Sequence, residues 1–395
     1  MMKILIVPDL EGWACDNICD NIIRVLGDKF EFTKMYAEAS CVVKGLPVFD
    51  YKKLDEYYFT YDLIYIMLPS YLKKGMDVEK TITTFHGGPG TEGQGDMMQR
   101  FGLNKMRVSY VSNQVKDRLT KYKVMHSNVI SIEYFKKPAK LLALWNIDPA
   151  TVIKFVFKIS DADKKIIQSY ITRYGYGFND MFFTPHGVNL DLYPQSNEKP
   201  DGLVCGYAGW IKHFLGIQNE HRRSSWIINA LKDMDFSLEI AGGLEEHVTG
   251  DFLKFRKMYI DDQLDEGGLQ PGVLSGKHVQ INSYSMKEMV DFYSKINCYL
   301  VPDKWAGGPM PVLEAGATGI APVCTDAGLC GDIVEHLYNG YRVADEAEFI
   351  QGIQFMKDNP DERRRMGENM REYIVSNRTW EAVANYWEAF FLGEK

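Results

Sequence analysis

The sequence has no uninterrupted apolar stretch approaching the roughly 20 residues that a membrane-spanning helix needs. It has no secretory leader either: MMKILIVPDLEGW carries one lysine and a short apolar run that stops at Pro8 and Asp9, with no small-residue cleavage site. The seven cysteines (Cys15, Cys19, Cys41, Cys205, Cys298, Cys324 and Cys330) are odd in number and scattered, and none stand at the spacing of a zinc site or a redox pair. They read as reduced, mostly buried thiols of a cytoplasmic protein. No low-complexity tract and no short-period repeat is present, which excludes solenoids, collagen-like rods and disordered scaffolds. No Asp-x-Asp motif stands out in a manganese-site context and no histidines cluster, so no metal site is expected.

Positive charge is scarce overall, the net being −8, but it is unevenly placed. Residues 1–195 hold 25 Lys/Arg against 22 Asp/Glu, and the remainder 20 against 31, an asymmetry that suits two domains. A chain of 395 residues points the same way, because single cores stop growing at roughly 250–300 residues. Residues 101–165 carry 13 basic and five acidic side chains, in clusters such as KMRV, KDRLTKYK and YFKKPAK. That segment is either a solvated face or a surface that draws in an anionic partner, including peripheral contact with an anionic membrane surface.

Short β-branched or apolar runs alternate with helix-like stretches. KILIVP, DLIYIML, TITTFH and VSYVS, with DNICDNIIRVL between the first two, predict a doubly wound parallel sheet. GLVCGYAG, FSLEIAGG, VQIN, CYLVPD and APVCTD, with SSWIINALKDM, MKEMVDFYSKI and PVLEAGATG, repeat the scheme. The polar segment NLDLYPQSNEKPDG is the linker candidate. The expectation is an α/β chain of two doubly wound, Rossmann-like domains, 1–195 and 196–375, facing across a cleft, with ligands beyond the carboxyl ends of the strands.

Four segments, in order, resemble family four of the glycosyltransferases, the large retaining group with the GT-B fold. PHGVNLDLYP at 185–194 resembles the family's inter-domain segment, GYAG at 206–209 its Gly turn, and PVLEAGATGIAPVCTDAGLCGDIVEHLYNGYRV at 311–343 its donor-site signature. NPDERRRMGENMREYIVSNRTWEAVANYWEAF resembles its closing helices, the last of which, within 376–395, crosses back to the first domain. The resemblance implies transfer of a sugar from a nucleoside-diphosphate sugar with retention of anomeric configuration, an acceptor-binding first domain, a donor-binding second domain, and no metal or other cofactor.

The residues of the donor signature can also be read on their own. WAGGPMPVLEAG puts two glycines after a strand and a proline-rich first turn at the start of a helix, so amides of Gly307, Gly308, Met310 and Val312 can face a diphosphate while Pro309 and Pro311 cannot. Glu314, a turn further on, can accept both hydroxyl protons of a ribose. The resemblance implies a second glutamate eight positions earlier, touching the donor sugar; this chain has Ala306 there, with Asp303 just upstream as a substitute. It also implies basic residues on the leaving diphosphate. Trp210 follows Gly209 where an arginine is usual, leaving Lys212, and Arg222 or Arg223, which open the next helix, stand in for the family's lysine. In the first domain, His86 ends TITTF before the glycine-rich HGGPGTEGQGD; the resemblance places it near the transferred sugar and Glu11, Gly12 and Trp13 near the acceptor. His186 reads as structural or cleft-lining.

The acceptor stays open: a glycan, a lipid-linked or another anionic molecule, or hydroxylated bases of viral DNA held on the basic surface. A non-catalytic nucleotide-sugar sensor, with chemistry lost at Ala306, is an alternative of a different class. An epimerase or phosphorylase of the same fold is a weaker one.

Overall fold

The structure is a computed structural model that describes residues 1–12, 14–37, 49–87, 98, 103, 105–117, 119, 181–195, 199–209, 222–242, 277–285 and 287–394. Trp13, Lys212 and the loop following Gly87 lie outside those residues, as does most of the basic 101–165 segment. The chain divides into two compact units, Met1–Pro185 with Ala384–Lys395, and His186–Val383.

The first unit is built on β1 (Met2–Val7), α1 (Ala14–Leu26), β2 (Phe30–Lys34), α2 (Leu54–Thr60), β3 (Leu63–Ile66), β4 (Thr81–Phe85), β5 (Arg107–Tyr110) and β6 (Met181–Phe183). The six strands are all parallel, in the order β2-β1-β3-β4-β5-β6. β3 and β4 are buried at every position, as strands of a parallel sheet covered on both faces must be. The hydroxyls of that interior satisfy each other: Tyr65 Oη to Thr84 Oγ1 is 2.7 Å, Thr84 Oγ1 to Ser109 Oγ 2.7 Å, and Thr184 Oγ1 donates to Ser109 Oγ at 2.8 Å. α1 buries Ile18, Cys19, Ile22 and Leu26 along one stripe.

The second unit comprises β7 (Val204–Ala208), α3 (Ser225–Asp233), β8 (Ser237–Ala241), β9 (Val279–Asn282), α4 (Met289–Ser294), β10 (Cys298–Val301), α5 (Met310–Ala317), β11 (Pro322–Cys324), α6 (Cys330–Ile333), β12 (Tyr341–Arg342), α7 (Glu346–Asp358) and α8 (Pro360–Asn377). Its six parallel strands run β12-β11-β10-β7-β8-β9, so the order reverses between β7 and β10. Asn297 fixes those two strands at their starts: its Oδ1 accepts from the Val204 amide at 3.0 Å, and its Nδ2 donates to the carbonyls of Pro200 (3.0 Å) and Gly202 (2.7 Å). The two-domain α/β GT-B architecture expected from the sequence is present. β2, β6 and β12 were not expected as strands; β6 and β12 are three and two residues long, below the length at which periodicity speaks, and β2 is only partly buried.

α9 (Trp380–Leu392) starts in the second unit and continues in the first. In the first unit Trp387 is fully buried, donates from its indole nitrogen to the Pro185 carbonyl at 3.0 Å, and lies 6.2 Å from the Tyr65 ring. Arg107, from the basic segment, donates to the carbonyls of Phe390 and Phe391 at 2.7 and 2.8 Å, so this cation closes a helix end. Trp387→Ala should destabilise the first unit by about 3–5 kcal/mol, measured by urea unfolding followed by circular dichroism.

Candidate functional site

Ligand sites in open parallel sheets form beyond the carboxyl ends of strands where the strand order reverses. In the second unit that point lies after β7 and β10. β7 leads through Gly209 toward Arg222, Arg223 and α3; β10 leads through Asp303 to Gly307, Gly308 and α5. The structure therefore brings Arg222 and Asp303 together, with Arg222 Nη1 donating to Asp303 Oδ2 at 2.8 Å. Asp303 is almost wholly buried, and its Oδ1 has no partner among the described residues. Burial raises its carboxyl to about 6, against the opposing pull of the Arg222 and Arg223 guanidiniums. The Asp303 carbonyl accepts from the Thr325 hydroxyl, which ties the loop after β10 to that after β11.

Arg223 has φ of 47°, one of two non-glycine residues in the left-handed region among those described. Such strain is held only where the surroundings fix it; here the guanidinium lies 4.5 Å from the Trp226 ring centre. α3 and α5 share two properties: no acidic side chain in the first turn and no side-chain cap. Few helix-start amides are spare: Trp226 and Ile227 of α3 donate to the Arg223 and Ser224 carbonyls at 3.0 and 3.1 Å, and Val312 of α5, expected to face a diphosphate, donates instead to the Pro309 carbonyl at 3.0 Å. Two arginines stand at the positive end of α3, where the helix dipole disfavours cations. The local field is positive and suited to an anion.

The glycines of the α5 loop are required by close approach. A Cβ on Gly308 would lie 2.5 Å from His186 Nδ1, and one on Gly328, whose φ is +56°, would lie 2.1 Å from the Gly307 carbonyl oxygen. That carbonyl accepts from the Leu329 amide at 3.1 Å. His186 is buried and its imidazolium is pushed down to about 4 by desolvation, so the ring is neutral at physiological pH. Met310 opens α5 half-buried. Gly209 is not a free donor: its amide extends the β7–β8 ladder to the Ala241 carbonyl at 2.9 Å.

Glu314 is buried on α5, and its Oε2 accepts from the Tyr293 hydroxyl at 2.7 Å. The Tyr193 hydroxyl acts on the same carboxylate, which pushes the phenol up while the phenol holds the carboxyl down. Burial raises the Glu314 carboxyl and the two phenols lower it. Sequence reasoning missed both tyrosines; one lies in the segment before β7 and the other on α4, and nothing local to either points at Glu314.

In the first unit the order reverses between β1 and β3, and the loop after β1 holds Glu11 and Gly12, both exposed. Gly12, at φ +73°, donates to Asp16 Oδ2 at 2.8 Å, and Asp16 Oδ1 accepts from Lys34 Nζ at 2.7 Å and Tyr36 Oη at 3.1 Å. His86 directly follows β4 and is half-buried. Among the described residues no group of three or more His, Cys, Asp or Glu side chains is placed to hold a metal ion, and no helix is long and apolar enough to cross a membrane.

Residues 273–373 match the family model described as glycosyl transferases group 1. No curated protein matches the sequence. Among solved structures, the sucrose-phosphate synthase of Thermosynechococcus elongatus is similar over 100% of this chain and 99% of its own, with 14% identity and a TM-score of 0.63. Alr3699/HepE of Anabaena, in complex with UDP and glucose, is similar over 100% of both chains, with 11% identity and a TM-score of 0.63. A glycosyltransferase of Rickettsia africae follows with 12% identity, a TM-score of 0.61, and coverage of 98% of this chain and 97% of its own. At these identities the likeness establishes the fold.

Because the folded Asp303 carboxyl holds its proton more tightly than an ordinary aspartate at 3.8, its contribution to stability is full below that pH and is lost as the pH rises through about 6. Arg222→Ala removes the facing cation and raises the carboxyl further. The variant should lose about 2–3 kcal/mol at pH 8, less than for a fully buried pair because Arg222 is 35% exposed, and the loss should shrink at pH 5. Urea unfolding at the two pH values measures this.

Proposed function

We propose that the protein transfers a glycosyl group from a nucleoside-diphosphate sugar to an acceptor hydroxyl, with retention of anomeric configuration. The observation that carries the reading is the Arg222–Asp303 pair at the strand-order reversal, beside two helix starts that lack caps and first-turn acids. Arg222, Arg223 and the Met310 amide at the start of α5 meet the diphosphate, and Glu314 accepts from the ribose hydroxyls. UDP and glucose in the Anabaena structure support a donor of this class.

In the reaction, the bond from the anomeric carbon to the phosphate oxygen breaks with its electron pair going to the diphosphate. The acceptor oxygen bonds to that carbon, and its hydroxyl proton passes to the departing diphosphate oxygen. Charge develops on the departing phosphate, where fixed guanidiniums and helix-start amides stabilise the transition state more than the ground state. Asp303 Oδ1, buried and without a partner among the described residues, takes the sugar hydroxyl that Ala306 cannot reach. The donor residues belong to the His186–Val383 unit, while His86, Glu11 and Gly12 belong to the other, to which acceptor recognition is assigned.

Ala306 itself favours a second reading, a protein that binds nucleotide sugars without turning them over. Thermal unfolding against a panel of nucleoside diphosphates and nucleotide sugars tests donor binding. A ligand at 100 times its dissociation constant should add about 2.7 kcal/mol, and Glu314→Ala should abolish the shift. Release of nucleoside diphosphate from the bound sugar above background, followed by nuclear magnetic resonance of the product's anomeric proton, then separates the two readings and gives the stereochemistry. A panel without a single binder would remove the donor site altogether.

A further inference from the structure

We propose that Tyr293 and Tyr193 are positioning residues that hold Glu314 as a fixed double acceptor, and that they thereby make the site select ribonucleotide over 2′-deoxyribonucleotide donors. The inference rests on the donor reading above and adds to it two residues and a selectivity.

The geometry is that of an over-determined carboxylate. Glu314 is 4% exposed, on the first turns of an eight-residue helix, and Tyr293 Oη donates to Oε2 at 2.7 Å while Tyr193 acts on the same group. The two rings pack edge-on, with centroids 5.8 Å apart, and Tyr299 lies edge-on to Tyr293 at 6.4 Å. Each phenol is thus packed against a neighbouring ring, and a turn of the carboxylate would break the Tyr293 bond and move it away from Tyr193. Tyr299 is itself engaged, accepting from the Ala208 amide at 3.3 Å.

A phenol whose hydroxyl proton points at the carboxylate donates and does not compete for its remaining lone pairs. An ionised carboxylate held by two donors keeps acceptor capacity for two more, which a ribose with vicinal 2′- and 3′-hydroxyls fills. A 2′-deoxyribose fills one and leaves a buried acceptor unsatisfied. A site built to bond a hydroxyl rejects the analogue that lacks it for this reason.

Ionisation is the second effect of the phenols. The groups that face Glu314 from the packed elements are Tyr293 on α4, Tyr193 before β7 and Tyr299 on β10; α8 presents Met370 and Ile374 beside Gly316, and its Arg371 donates to the Ala317 carbonyl at the far end of α5. Among the described residues no cation acts on the Glu314 carboxyl, and against the burial that raises it the two phenols hold it down. Removing one leaves an acid that protonates at higher pH, and a protonated carboxyl donates where it should accept.

The test uses the full chain and six probes: the diphosphates of uridine, adenosine and guanosine and their 2′-deoxy counterparts, titrated calorimetrically from pH 5.5 to 8.5 against wild type, Tyr293→Phe and Tyr193→Phe. The wild type should bind one ribonucleotide at least tenfold tighter than its deoxy form. Each Phe variant should bind that ribonucleotide about tenfold more weakly at neutral pH, recover affinity as the pH rises, and lose most of the discrimination. Variants that unfold cooperatively near the wild-type temperature yet keep wild-type affinity, discrimination and pH profile would overturn the positioning role. A uniform loss with an unchanged pH profile would also overturn it, as packing damage. If a variant fails to fold, the wild-type ribose discrimination and the other variant still decide. If the wild type binds none of the six, the donor reading fails instead.

Discussion

A carboxylate taken out of water must be given donors, and the described part of the second unit's site is arranged around two of them. Asp303 is answered by a guanidinium and Glu314 by two phenols. The answers differ in what they leave for a ligand. With Arg223 close by, the Asp303 ion pair leaves a surplus of positive charge beside two helix starts, which favours an anion. The phenols are neutral, so Glu314 keeps its whole negative charge and its spare lone pairs, which favours hydroxyls. A nucleoside diphosphate offers both, a charged diphosphate and a diol-bearing ribose, and the two buried acids stand on the strand and helix that meet at the sheet's reversal point.

The first unit solves its interior polarity differently. Its sheet carries a neutral ladder from Tyr65 through Thr84 and Ser109 to Thr184. Its buried charge is confined to the loop end of β1 and β2, where Asp16 gathers the Gly12 amide, the Tyr36 hydroxyl and the Lys34 ammonium. Lys34 is held well above the usual lysine range: burial opposes its charge, but the carboxylates of Asp16 and Asp20 outweigh that. The ammonium is therefore a permanent cation and not a proton carrier.

The sheets were legible because fully covered parallel strands read as continuous apolar or β-branched runs, as TITTF and CYLV do. β2, FEFTK, escaped notice because its burial is partial and its apolar content is interrupted. The helix starts at Arg222 and Met310 were legible from the arginine pair, the glycines and the prolines. The partners were not. Asp303 and Arg222 are 81 residues apart, and only the sheet order brings their strands side by side. Tyr193 and Tyr293 carry no local mark at all, since an aromatic residue before a strand or on a short helix is ordinary core material until the acid beside it is seen. Gly209 adds what its motif does not tell: its amide continues the sheet.

The contact between Gly308 and His186 bears on how such a chain can change over evolutionary time. The imidazole fills the space that any other residue at 308 would need for its Cβ, and the two positions lie in segments far apart along the chain. Neither can drift alone: a larger residue at 308 must wait for a smaller one at 186, and once the histidine shrinks, the loop that opens α5 loses the wall it rests on. Substitutions here should travel as a pair through descendant sequences, leaving a correlated trace even where overall identity has fallen too far to align the rest.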